Sequence, residues 1–178
     1  MRKLSVMDMN RLSVEAFRES PKTPLTVVLD NVRSMHNVGA VLRTADAFRL
    51  QKVLLCGITP RPPHPDIHKT ALGAEDSVTW EYRESALDAV RELRENGYRV
   101  LAIEQAAGST PLNRLSANAG GRYAIVLGHE VRGVDQQVVD ACDGCLEIPQ
   151  FGTKHSLNVS VAAGMVIWDF FKRLGIPE

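Results

Sequence analysis

Three stretches of this chain carry polar residues at spacings that could do chemistry. The first, 148–160, reads IPQFGTKHSLNVS. An apolar run ends at Ile148, Pro149 breaks it, Gly152 turns the chain, and Ser156 and Asn158 stand where a long apolar segment begins. A helix start leaves backbone N–H groups unpaired, and Ser and Asn are the residue types that cap it. Two readings stand: a capped turn, or a loop whose free donors and acceptors hold a small polar ligand. The second stretch, 127–133, reads LGHEVRG. Gly128 would let a ligand approach the backbone closely, Glu130 offers a carboxylate, and Gly133 permits a turn. The G-x-E-x-x-G spacing is not a dinucleotide fingerprint, and the Gly at the fifth position of HEVRG excludes a HExxH zinc site. The third stretch, 37–46, reads NVGAVLRTAD. Asn37 can cap a helix. Arg43 either pairs with Asp46 three residues on or offers its fork to a phosphate.

Other chemistries are poorly served. The three cysteines are an odd number, with no secretion signal ahead of them, so a disulfide framework is not expected. Cys142 and Cys145 form a lone CxxC with no second pair to complete a zinc site, and buried thiols are the favoured reading. His64 and His68 are discounted as ligands because Pro63 and Pro65 disfavour a helix that would align them. No metal is expected. The longest apolar segment, 159–171, is too short to span a bilayer, so no membrane partner and a cytoplasmic location are expected. Net charge is zero, but it is unevenly spread. Residues 1–74 hold eleven Lys/Arg against six Asp/Glu, and 75–178 hold ten against fifteen. One half is thus +5 and the other −5, either ordinary solvated charge or a basic face that steers an anion.

The elements that must position these residues follow from periodicity. A helix over 6–19, begun by Ser5 or Asp8, would turn Met9, Leu12 and Ala16 to one side. Apolar runs at 25–29, 52–56, 77–81, 98–103, 123–127 and 144–148 predict strands. Helical spacing marks 38–50, 66–72, 84–96, 135–141 and 156–174, with 106–121 left as loop. Alternation of strands and helices predicts an α/β domain, a mostly parallel sheet flanked by helices, over 23–178 after a helical extension at 1–22. Ligands bind such sheets at the carboxyl ends of strands. The loops after Leu29, Ile103, Leu127 and Ile148 all lie there and should build one site. The last helix is apolar on nearly every side, so it must be buried in the core or against a partner.

Together and in this order, NVGAVLRTA from Asn37, LGHEVRG from Leu127 and IPQFGTKHSLNV from Ile148 resemble the three motifs of the SpoU (TrmH-like) branch of the SPOUT RNA methyltransferases. The resemblance runs from about Leu25 to Leu174. It implies methyl transfer from S-adenosyl-L-methionine to a ribose 2′-hydroxyl of RNA, a C-terminal trefoil knot (the α/β-knot fold) and a homodimer. Asn37, Arg43, Glu130, Ser156 and Asn158 fall on the family's functional polar positions. Leu127, Gly128, Ile148 and Leu157 fall where its backbone holds the cofactor, with Ile103 or Glu104 completing the pocket. Gln150 stands where many members have Met, beside backbone contacts. The family's arginine has been proposed as general base. A guanidinium pKa above about 12 makes Arg43 better suited to clamp a phosphate and stabilise charge, and the base stays open, as does whether Ser156 serves catalysis or caps the helix.

The residues 103–112 and 145–150 look most like tRNA members that methylate a D-loop guanosine, so tRNA is the expected RNA, ahead of methylation at a tRNA wobble nucleotide or in ribosomal RNA. Two other classes fit the sequence less well. A catalytically idle RNA-binding dimer of the same fold is disfavoured by the intact Arg43, Glu130, Ser156 and Asn158. A nucleotide-binding α/β enzyme of another kind is disfavoured by the missing G-x-G-x-x-G, P-loop and metal-ligand spacing.

Overall fold

The computed structural model describes residues 1–5 and 7–175. Seven strands, β1 (Thr23–Asp30), β2 (Leu50–Cys56), β3 (Trp80–Arg83), β4 (Arg99–Ile103), β5 (Thr110–Pro111), β6 (Tyr123–Leu127) and β7 (Gly144–Glu147), form one sheet. Its order is β3-β2-β1-β6-β4-β7-β5, and every paired strand is parallel. The helices are α1 (Val14–Glu19), α2 (Met35–Ala47), α3 (Pro65–Ala71), α4 (Ala74–Ser77), α5 (Ala86–Glu95), α6 (Gln136–Ala141) and α7 (Val159–Leu174).

The central strands β1 and β6 are nearly continuous apolar runs because both their faces are covered. Leu25, Val27 and Leu29 of β1 and Ile125 and Leu127 of β6 join α2 and α7 in one core. Val28, Ala124 and Val126, pointing the other way, pack under α5 and α6 in a second. This period-2 alternation fixes the register and brings the carboxyl ends of β1, β4 and β6 to one edge of the sheet.

Several expectations need correction. The helix expected over 6–19 is confined to α1. Asn10 sits at φ 45°, outside the helical region, and the Ser13 hydroxyl accepts the Ala16 N–H and starts the helix there. Phe17 is its buried residue, whereas Met9 and Leu12 are exposed; Val6 lies outside the described residues. Pro65 does not prevent a helix: it occupies the first turn of α3, the position where a missing N–H costs nothing, and the His64 side chain caps that helix. The loop expected over 106–121 contains the short edge strand β5 and a 3₁₀ turn, Leu112–Arg114. No helix among the described residues is long and apolar enough to cross a membrane, and no group of His, Cys, Asp or Glu among them could hold a metal.

Candidate active site

The loops after β4, β6 and β7 enclose a cleft of about 240 Å³ at the carboxyl edge of the sheet. Its walls include Ile103, Leu127, Gly128, Ile148 and Leu157, so all five residues expected to hold a cofactor meet there. Glu104, the alternative to Ile103, is also in the wall. Glu130 and Ser156 line the same cleft; Asn37, Arg43 and Asn158 do not.

Glu130 reaches out of its loop to the start of α2. Its carboxylate accepts the N–H groups of Arg33 (3.0 Å) and Ser34 (2.9 Å) and the Asn37 amide (3.0 Å). Burial alone would raise its pKa; these hydrogen bonds outweigh it and bring the pKa down to about 2. The Asn37 carbonyl then accepts the Asn158 amide (3.1 Å). The Asn158 carbonyl accepts the N–H groups of Ser160 and Val161 and so caps α7. Glu130, Asn37 and Asn158 thus form one polar chain joining three loops that are far apart in sequence.

This chain reassigns the caps. Ser34, not Asn37, caps α2, its hydroxyl accepting the Asn37 N–H. Asn37 lies inside the helix, and its buried side chain is spent on the link. Asn158, not Ser156, caps α7. Ser156 sits three residues ahead of the helix, exposed at the cleft, and its hydroxyl has no partner among the described residues. Arg43 lies further along α2, exposed. It pairs with no carboxylate among the described residues; Asp46 instead accepts the Ser77 hydroxyl.

The wall at 127–134 is held by its own backbone. His129 and Gly133 exchange both N–H···O=C bonds (3.0 and 2.8 Å). The neighbour that requires glycine at 128 is this turn: a Cβ there would lie 2.1 Å from the Gly133 carbonyl carbon and the Val134 nitrogen. The close approach is therefore intramolecular, where the sequence suggested a ligand. The His129 ring accepts the Val131 N–H at 3.0 Å, and the Glu104 carboxylate accepts the Val134 N–H at 3.1 Å. Across the cleft, the Gln105 amide donates to the His155 carbonyl at 2.6 Å. His129 and Gln105 were not singled out from the sequence, although a histidine directly after a strand-ending glycine is a signal for such a turn. All three cysteines are free thiols; burial pushes those of Cys56 and Cys142 up to about 12.

Residues 24–168 match the SpoU rRNA Methylase family. The 23S rRNA (guanosine-2′-O-)-methyltransferase RlmB of Nitrosomonas europaea is 36% identical over 149 residues, which are 84% of this chain and 56% of that protein. The chain spans about half the length of the curated relatives it matches. The AdoMet-bound rRNA methyltransferase from Sinorhizobium meliloti superposes with a TM-score of 0.79 at 26% identity, over 89% of this chain and 60% of that one. A structure solved for the 2-OH methylation of C/U34 on tRNA superposes with a TM-score of 0.73 at 27% identity, over 84% of this chain and 95% of that one.

Proposed function

The chain belongs to the SpoU rRNA Methylase family, and on that premise we propose that it methylates a ribose 2′-hydroxyl of RNA with S-adenosyl-L-methionine as donor. The observation that carries this reading is the polar chain Glu130–Asn37–Asn158, which ties the three motifs together beside one cleft at the carboxyl edge of a parallel sheet.

The residues present fit such a donor. Adenine and a thioether chain are largely apolar with hydrogen-bonding edges, and Ile103, Leu127, Ile148 and Leu157 wall the cleft around strand-end backbone. When bound, the donor supplies a methyl group on a positively charged sulfur. The chain's own task is to hold the ribose hydroxyl in line with that methyl and to stabilise the alkoxide character that develops as its proton leaves. A part for Ser156 in this is supported by its position in the cleft lining and by the α7 cap being made by Asn158 instead. Glu130, Asn37 and Asn158 act behind it as positioning residues. Glu130 accepts three hydrogen bonds and has a pKa near 2, so it is a poor proton acceptor at neutral pH. Arg43, exposed and paired with no carboxylate among the described residues, serves as a clamp for a substrate phosphate. Replacing Arg43 with Ala should leave donor binding by calorimetry within about twofold while lowering turnover by at least about 100-fold; unchanged turnover would remove Arg43 from the mechanism.

For the RNA, the reading supported by sequence identity is ribosomal. The curated relatives at 33–36% identity are named 23S rRNA guanosine methyltransferases, which moves the substrate away from the tRNA D-loop that the shorter motifs suggested. A tRNA substrate is kept as a second reading because this chain covers 95% of the structure solved for C/U34 methylation of tRNA. Mapping ribose methylation in total RNA from a deletion strain decides between them: a lost site in 23S rRNA supports the first, a lost site in tRNA the second, and no lost site sinks both.

The family resemblance also supports a trefoil-knotted C-terminal region, a homodimer, and the division into an extension (1–22) and a catalytic domain (23–178). Supporting the dimer, Val161, Met165 and Trp168 stand one helical turn apart on the side of α7 that faces away from the core, each nearly half exposed; such apolar stripes mark interaction surfaces. Light scattering that gave a monomer mass at micromolar concentration would exclude it.

A further inference from the structure

The hydrogen bonding that organises the cleft continues past it, across the carboxyl edge of the sheet. From Glu130 it reaches Arg33 and Ser34 at the end of β1. The next link joins the loops after β1 and β2: the Val32 N–H donates to the Thr59 hydroxyl (3.0 Å), the Ile58 N–H to the Asn31 side chain (3.1 Å), and the Thr59 hydroxyl to the Leu29 carbonyl (3.1 Å). Thr59 is buried, so this bridge is an interior one. Beyond it Arg61 lays its guanidinium over the ring of Tyr82, 4.3 Å from the centroid, on the edge strand β3. Tyr82 is 37% exposed and Ile58, on the same loop as Arg61, is 60% exposed.

The charges here are arranged unlike those nearby. Lys52, Lys69 and Arg83 are all paired with carboxylates. Arg33 and Arg61, both exposed, pair with none among the described residues. A guanidinium resting on an aromatic ring is held flat, with its side-chain freedom already reduced. Its outer face is then presented as a stacking surface that also carries charge. Unstacked RNA bases are recognised on aromatic rings and on arginine planes.

We propose that the loops 31–36 and 57–64 form a rigid docking platform for a single-stranded stretch of the substrate RNA, in which Arg61, backed by Tyr82, stacks a base and Arg33 takes a phosphate between that base and the cleft. The proposal rests on the RNA reading above and adds to it where the strand runs. Three strand spacings separate β6 from β3, about 14 Å, so the stacked base lies a few nucleotides from the methylated ribose.

The test uses the full chain and two probes, a fluorescein-labelled single-stranded RNA dodecamer of mixed sequence and the duplex it forms with its complement, with affinity measured from 50 to 200 mM salt. The wild-type chain should prefer the single strand. Arg61→Ala should weaken single-strand binding by about tenfold with little change in the slope of log affinity against log salt, which counts the phosphates neutralised. Arg61→Lys should keep the slope but lose most of the affinity, because an ammonium carries the charge without the plane. Tyr82→Leu, which keeps an apolar side chain on β3, should weaken binding by a smaller factor. S-adenosyl-L-methionine affinity should be unchanged in all three. Wild-type affinity in Arg61→Ala, full affinity in Arg61→Lys, or no binding of either probe by the wild-type chain would overturn the platform. Failure of the wild-type chain to bind S-adenosyl-L-methionine would overturn the methyltransferase reading instead.

Discussion

The two walls of the cleft are built on different principles. The wall at 127–134 is cross-braced: a reciprocal backbone bridge, the His129 ring, and the carboxylates of Glu104 and Glu130 account for its polar groups. The facing wall at 149–157 has no regular structure and is almost wholly exposed, with Phe151 97% exposed at its tip. One bond, from Gln105 to the His155 carbonyl, ties it across the cleft. Segments with few buried contacts and exposed backbone open at low free-energy cost. One side of the site is therefore fixed before anything binds, and the other is left to take its shape from what binds.

Four substitutions test that contrast. The largest effect should come from Gly128→Ala, because the new methyl meets backbone that cannot move aside. A loss of about 3 kcal/mol or more is expected by chemical denaturation, and a loss under about 1 kcal/mol would show that the braced wall yields.

Glu130→Ala comes next. It leaves the part-buried Ser34 N–H and the Asn37 amide without their acceptor, at about 2–3 kcal/mol. Its pH signature is specific. The Glu130 carboxylate titrates near 2 in the folded chain against an ordinary 4.5, so its stabilisation is full above about 4.5 and fades as pH falls towards 2. The variant should lose that part of the acid limb of the stability curve; an identical acid limb would refute the assignment. Asn158→Ala removes a helix cap and the link to Asn37, and about 1–2 kcal/mol is expected from thermal melts.

On the facing wall, Ser156→Ala should change stability by less than about 0.5 kcal/mol and yet slow methyl transfer. A stability loss comparable to that of Asn158→Ala would mean that Ser156 belongs to the frame.

The sheet is legible in the sequence because β1 and β6 are buried on both faces and so are written as nearly continuous apolar runs. Tyr123–Leu127 was bounded to the residue for that reason. Caps were less legible. Ser34 and Asn37 both satisfy the rule for a helix start, and so do Ser156 and Asn158. What decides between them is a tertiary contact, the Glu130 carboxylate on the Arg33 and Ser34 N–H groups and the Asn37 amide on Asn158, and no local pattern contains it. The first helix is shorter than its apolar spacing predicts because the chain is broken at Asn10. The stacking of Arg61 on Tyr82 joins two loops that share no sequence signal. The motif resemblance brought the site residues together on paper, but it could not separate those that face the cleft from those that brace it.

The polar chain also has a consequence in time. Its two side-chain links close loops of 93 and 121 residues, and such distant contacts form only after the intervening chain has collapsed. On a ribosome, β1, β2 and β3 can emerge and pair long before Glu130 or Asn158 has been synthesised. The wall at 127–134 can be braced as soon as Val134 has been made, whereas the facing wall comes last, so the cleft is complete only when α7 docks and Asn158 reaches Asn37.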